Sequence, residues 1–328
     1  MKKLKLHAAL LSSVAGVIAI LLSAAPAKAE EEKVTLALNW KPEPEFGGFY
    51  SAQRSGDYKK NGLAVTIQPG GAGQPTVQMV AAGKAEFGIV SADELVLARS
   101  NGANVIALFT VYQTNPQGIM VHASKGLKKI DDVFKAGTLA IQKGLPYSLF
   151  LEKKYGFGNI KIVPYSGGIA SFLHDPEFAQ QCFVTAEPLE AKKQHSDPQS
   201  FLIADAGYNP YTAVMITFGD YLKKHPETVT KMVQAVKKGW IDYLENPTAT
   251  NELMHGLNKT MEVQTFSEGA SAQKALIENS DTKKNGIGSM TLARWEELIG
   301  QMADLKLMTT RPKASECVWT NALNLNKK

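Results

Sequence analysis

The chain has 328 residues, 44% of them hydrophobic and 20% charged, a balance that suits a folded protein and excludes a disordered tail or a low-complexity array. Its formal charge is +5, but four lysines (2, 3, 5 and 28) and no acid fall in the first 29 residues, leaving 32 basic against 31 acidic residues in the rest. That near-neutral body offers no electrostatic case for nucleic acid or a membrane surface, and only two cysteines, Cys182 and Cys317, rule out Cys-x-x-Cys metal sites.

The chain opens as a secretion signal. Lys2, Lys3 and Lys5 form a basic start, an apolar run covers 8–22, and Ala27-Lys28-Ala29 offers a small-x-small cleavage site. The run is short for a membrane span, and with no Cys beside the cleavage point a lipid anchor is not expected. Residues 1–29 are therefore expected to be removed and the product to be free in a periplasm. The remaining 299 residues exceed what one hydrophobic core usually serves, which points to two lobes.

Next comes a buried-looking strand at 34–38 that delivers Trp40 to its carboxyl end, followed by a loop rich in Pro and Gly through Phe46 and Gly47. Ligands sit at that end of strands in open α/β sheets, so Trp40 is placed either to stack on one or to close the core. Further strands are predicted at 64–68, 87–90, 105–111, 118–122, 138–141, 160–163 and 182–185, with helices at 76–82, 92–100, 130–134, 148–155 and 169–174 between them. Two more strands fall within 201–218. Helical spacing then continues through 219–223, 226–244, 248–257, 263–276 and 291–302, with Pro226 and Pro247 at helix boundaries. The rhythm is α/β and predicts two mixed, mostly parallel sheets flanked by helices. One lobe would comprise 33–120 plus 213–328 and the other 121–212, with crossovers near 118–124 and 208–216 and the ligand cleft between them. The competing architecture is a single doubly wound domain with a helical tail.

Enzyme motifs are missing. Gly70-Gly71-Ala72-Gly73 lacks the Lys-Ser/Thr of a phosphate loop, no Gly-x-Ser-x-Gly elbow occurs, and the six histidines are scattered without metal-ligand spacing. No catalytic residue, metal or cofactor is nominated. What remains are helix starts and aromatics. Ser91-Ala92-Asp93-Glu94, Gly144-Leu145-Pro146-Tyr147 and Tyr165-Ser166-Gly167-Gly168 each follow a strand, where free N–H groups can hold an anion or merely cap a helix. Glu43, Glu45, Asp93, Glu94 and Glu187 map to the same loops; a carboxylate there accepts from an aminopyrimidine and repels a sulfonate. Glu187, in Thr185-Ala186-Glu187-Pro188, is the strongest of them. Trp40, Phe46, Tyr147, Tyr208 and Tyr211 supply flat walls or ordinary core rings. The candidate ligand set is Asn39, Trp40, Phe46, Gly47, Ser91, Ala92, Asp93, Gly144, Pro146, Tyr147, Tyr165, Gly167, Glu187, Tyr208 and Tyr211. Cys182 and Cys317 either pair in an oxidising compartment or stay as buried thiols.

Several segments in order resemble the periplasmic substrate-binding proteins of the sulfonate and thiamine-precursor type: Leu38-Asn39-Trp40, Gly62-Leu63, Ala82-Gly83-Lys84-Ala85-Glu86-Phe87-Gly88, and 218–244 with its Lys224-His225-Pro226-Glu227. The resemblance spans nearly the whole chain after the leader. It implies a two-lobed type II periplasmic-binding fold, a monomer that closes on a small solute and delivers it to an ABC permease, and a pocket for a heteroaromatic solute or, alternatively, a sulfonate. Fungal-type pyrimidine synthases form an enzymatic branch, which holds pyridoxal phosphate on a Lys, uses a His four residues later, and carries a Cys-rich run. At the matching positions this chain has Val90 and Glu94, and 213–218 contains no Cys, so the resemblance implies binding rather than synthesis. An exported enzyme and a ligand sensor are the alternatives of other classes.

Overall fold

The computed structural model describes residues 31–71 and 73–324; the leader and its cleavage site lie outside the described residues. Ten strands form two five-stranded sheets. The first, in the order β2-β1-β3-β10-β4, uses β1 (Glu32–Ala37), β2 (Leu63–Gln68), β3 (Phe87–Val90), β4 (Val105–Tyr112) and β10 (Thr212–Phe218). The second, in the order β7-β6-β8-β5-β9, uses β5 (Gln117–His122), β6 (Thr138–Ala140), β7 (Lys161–Val163), β8 (Phe178–Phe183) and β9 (Pro198–Leu202). The chain passes between the sheets at 113–116 and returns at 203–211.

Both sheets are mixed, but parallel pairings do not predominate. β1 runs parallel to β2 and β3, while β10 is antiparallel to β3 and β4; β6 runs parallel to β7 and β8, while β5 is antiparallel to β8 and β9. The antiparallel pairings all involve the two strands that flank the passages between sheets. Among the described residues no helix is long and apolar enough to cross a membrane.

Most predicted elements lie within a residue or two of their expected bounds. The main difference is β8, which starts at Phe178 rather than 182. Gln180 and Gln181 interrupt its apolar pattern, yet both are buried because their amides are matched: Gln180 donates to the Gly168 carbonyl at 3.0 Å, and Gln181 exchanges bonds with Gln142. Short helices outside the predicted set include Asp57–Lys60, Glu187–Lys193, Ser280–Asn285 and Ala314–Cys317. Cys182 and Cys317 are buried, unbridged thiols that lie in separate core clusters.

The first sheet's outer layer rests on a close helix pair. Helix Gly47–Arg54 packs on helix Pro226–Glu245, with Phe49 edge-on to Trp240 at 5.7 Å between ring centroids. Glycines make this approach possible. A methyl group at Gly47 would sit 2.1 Å from the Tyr243 ring, and one at Gly48 would sit 2.2 Å from Trp240. Both rings are fully buried, so neither has open space to move into. Gly47→Ala and Gly48→Ala are each expected to destabilise the protein by about 1–3 kcal/mol, overpacking outweighing the better helix propensity of Ala. Gly71→Ala, which meets nothing within 4 Å, should stay within about 0.5 kcal/mol. Urea midpoints at constant slope test this; equal midpoints for all three variants would remove the packing role.

Candidate functional site

The site grows from the turn that follows β1. Trp40, partly exposed beyond the strand's carboxyl end, donates its indole N–H to Glu43 Oε1 at 3.2 Å. The turn is held from behind by two buried amides: Asn258 Nδ2 donates to the Pro42 carbonyl and Gln273 Nε2 to the Pro44 carbonyl, both at 3.0 Å. Gln273 is itself fixed by Tyr112, whose hydroxyl donates to its Oε1 at 2.7 Å. This scaffold fixes Glu43 and Glu45 at the 3-10 turn Pro44–Phe46 that leads into helix Gly47–Arg54.

Glu187, from the second sheet's side, joins them. It opens helix Glu187–Lys193, accepting the Tyr165 hydroxyl on Oε1 at 2.7 Å and the Phe183 amide on Oε2 at 2.8 Å. Thr185, just before it, presses its carbonyl against Gly269, where Pro44 also packs. Lys193 at the far end of the same helix reaches Thr265 Oγ1 at 2.6 Å. Glu43 and Glu45 from one loop and Glu187 from another are thereby near enough for their charges to act on one another. Burial raises the pKa of Glu43 to about 8, with the Glu187 charge adding to the rise and Trp40 opposing it. Burial also lifts Glu45 well above the carboxylate range, with Glu43 and Glu187 adding to it. Glu187 is raised chiefly by burial, against the Tyr165 and Phe183 hydrogen bonds.

A second group lies where the chain returns between sheets. Asp93 accepts from the Tyr208 hydroxyl at 2.8 Å, from the Glu94 amide at 3.0 Å and from the Ser91 hydroxyl. The Ser91 amide donates to Glu94, and the Ala92 amide to the Tyr211 carbonyl at 2.9 Å. The helix start at Ser91 therefore has its amides at 91, 92 and 94 already engaged. At the next helix start the Gly144 amide donates to Ser148 Oγ at 3.0 Å, and the buried Tyr147 donates its hydroxyl to Gln181. Pro146 is buried in the same first turn. Gly167 is exposed in a left-handed conformation ahead of a helix, Ala170–His174, that is only five residues long.

The candidate residues thus divide. Trp40 and Tyr165 flank the carboxyl cluster, with Asn39 partly exposed beside Trp40. Phe46 and Gly47 are instead buried in the helix pair, Phe46 with no exposed surface. Tyr208 is buried against Phe150 and Asp93. Tyr211 is buried under Arg294, whose guanidinium lies 4.0 Å from the ring centroid, and its hydroxyl accepts the Thr291 amide. Glu43 and Glu45 lay outside the candidate set. Their signal was their position in a Pro-rich turn immediately beyond Trp40, but loop carboxylates are usually solvated, and what buries these two comes from residues 258 and 273.

Residues 43–250 match the family described as NMT1/THI5 like. The 4-amino-5-hydroxymethyl-2-methylpyrimidine phosphate synthase THI11 of Saccharomyces cerevisiae is 23% identical over 259 residues, covering 68% of this chain and 74% of that protein. The riboflavin-binding protein RibY of Chloroflexus aurantiacus is 25% identical over 232 residues, covering 68% and 65%. Among solved structures, the periplasmic aliphatic sulphonate binding protein SsuA of Escherichia coli superposes with a TM-score of 0.67 at 12% identity, covering 88% of this chain and 92% of its own. That likeness establishes the periplasmic-binding-protein fold.

The raised carboxyls have a stability consequence. An acid whose pKa is higher in the folded state binds more protons folded than unfolded, so stability falls as pH rises from its ordinary 4.5 towards the folded value. For Glu43 the window runs from 4.5 to about 8. Glu43→Gln is expected to flatten the loss of stability across that window, and Glu187→Gln to lower the Glu43 pKa. Carbon-detected NMR titration of the Glu43 carboxyl, with melting curves across the same pH range, checks both; an ordinary Glu43 titration would remove the effect.

Proposed function

The chain belongs to the NMT1/THI5-like family, and from that premise we propose that it is the periplasmic solute-binding component of an ABC importer, taking a small heteroaromatic solute such as a thiamine pyrimidine precursor. Residues 33–120 with 213–328 form one lobe and residues 121–212 the other, and they close on the solute by bending at the two passages between sheets. The protein works as an exported monomer, its leader removed, and hands its solute to a permease in the inner membrane. The observation that carries the reading is the pairing of Trp40 with Glu43 and of Tyr165 with Glu187, two carboxyls whose charges act on one another. An indole face stacks on a flat ring, and carboxyls accept from its amino group.

Binding is favoured over synthesis by Val90. It stands where the enzymatic branch places its Lys, is buried at the end of β3, and supplies no amine for a Schiff base with pyridoxal phosphate. The residues present do not fit that cofactor. A sulfonate solute is the second reading, supported by the likeness to SsuA. The acidic cluster and the engaged amides at residues 91, 92 and 94 oppose it.

Trp40→Ala is expected to weaken binding of 4-amino-5-hydroxymethyl-2-methylpyrimidine by about tenfold or more, stacking on an aromatic side chain being worth roughly 1–3 kcal/mol. Glu187→Gln should weaken amino-substituted rings selectively. Calorimetric titration of the protein with this pyrimidine and with ethanesulfonate tests both. Tight sulfonate binding with no pyrimidine binding would replace the proposal by the second reading.

A further inference from the structure

One face of helix Val263–Ile277 receives two segments that follow strands of different sheets. Thr265, Gly269 and Gln273 are spaced four apart, which lines them up in one row along the helix, and all three are buried. Towards the carboxyl end, Gln273 Nε2 holds the Pro44 carbonyl at 3.0 Å, which seats the Trp40 turn. Towards the amino end, Thr265 Oγ1 accepts from Lys193 Nζ at 2.6 Å, and Glu268 lies 4.0 Å from the same ammonium. Gly269 stands between them. A methyl group there would sit 2.7 Å from the Thr185 carbonyl oxygen and 3.0 Å from Pro44 Cγ. The row is therefore a common seat. The Trp40 turn rests on one end, and the segment from Thr185 to Lys193, which carries Glu187, rests on the other.

The two neighbours of Gly269 differ in how they respond to an added side chain. Pro44 belongs to the same side as the helix, and its ring needs to give by only a few tenths of an ångström. The Thr185 carbonyl is backbone, held between β8 and helix Glu187–Lys193, and 2.7 Å is well inside van der Waals contact. Glycine is a poor helix-interior residue, and position 269 has no positive φ that would call for it. Its use there is the close approach itself.

We propose that the row Thr265, Gly269 and Gln273 is the seat on which the Glu187 segment lands when the cleft closes, and that Gly269 is the positioning residue that lets closure run to completion. The proposal rests on the reading of the chain as two lobes that close on a solute, and adds where they meet and which residue admits the contact. The helix that receives Thr185 also holds Pro44, so landing sets Glu187 and Tyr165 in register with the Trp40 turn. An alanine at 269 stops the approach short. Lys193 bonds across the same boundary, so its loss weakens the closed form without blocking it.

Nitroxide labels at Lys192→Cys and Ala275→Cys, both exposed positions, report the gap by pulsed dipolar EPR on the mature protein, in which Cys182 and Cys317 are buried. The solute-free protein should give a longer distance in excess of a shorter one, and Gly269→Ala should keep the longer alone. The urea midpoint of solute-free Gly269→Ala should not fall, because an open cleft does not feel the Thr185 carbonyl, whereas permanent packing there would lower it. Affinity for 4-amino-5-hydroxymethyl-2-methylpyrimidine should drop about tenfold or more in Gly269→Ala and about threefold to tenfold in Lys193→Met. Gly256→Ala, whose methyl group meets nothing within 4 Å, should leave it unchanged. A single distance in the unaltered protein, a shorter distance that survives Gly269→Ala, a lower midpoint, or an unchanged affinity in that variant would overturn the proposal. Failure of the pyrimidine to bind the unaltered protein would instead end the solute assignment, and the two solute-free measurements still decide the seat.

Discussion

The anchoring of the turn beyond Trp40 by two buried amides is the constraint on which the arrangement of the site depends. A loop left to itself would turn Glu43 and Glu45 outward into solvent, where charge is cheaply hydrated. It does not do so because Asn258 and Gln273, from helices more than two hundred residues away, take the carbonyls of Pro42 and Pro44. Tyr112 fixes Gln273 in turn. The acidic turn is thus enforced by a relay of neutral amides and one phenol, each of them satisfied.

The mixed sheets explain how distant segments reach one place. Parallel pairings among β1, β2 and β3 bring the carboxyl ends of those strands to one edge, which places the Trp40 turn and the Ser91 helix start on it. Antiparallel β10 then returns the chain beside β3, carrying Tyr208 and Tyr211 back to Asp93 and Ala92. The aromatic residues of this return serve the frame, since their hydroxyls and rings are occupied by Asp93, Thr291 and Arg294. Rigid frame and acidic turn are therefore built from different residues, and a substitution in one need not disturb the other.

What the sequence disclosed depends on how local the cause was. Trp40 at a strand end and Glu187 beside Pro188 could be read directly, because a strand, a turn and a helix start are set by neighbours. Phe46-Gly47-Gly48 read as a loop with a flat wall but is the start of a helix, and its glycines exist for Tyr243 and Trp240, which no local pattern reveals. The sequence pattern starts β8 too late because Gln180 and Gln181 look solvent-facing until their partners Gly168 and Gln142 are known. The same blindness applied to Glu45. Nothing in its neighbourhood along the chain distinguishes it from a solvated loop acid; its burial is decided at residues 258 and 273.

On the two-lobe reading, the placement of Glu187 also bears on when the protein closes. Glu43 and Glu45 belong to one side and Glu187 to the other, and Lys193 with Thr265 and Thr185 with Gly269 hold those sides together as seen here. Closing an empty cleft brings like charges into a low-dielectric space, so the closed form is disfavoured unless protons or a cation enter with it. A ligand shifts an equilibrium only by its differential affinity for the two states. On that reading, a solute that touches both sides supplies the difference, because its contacts to the Glu187 side exist only when the two sides are together.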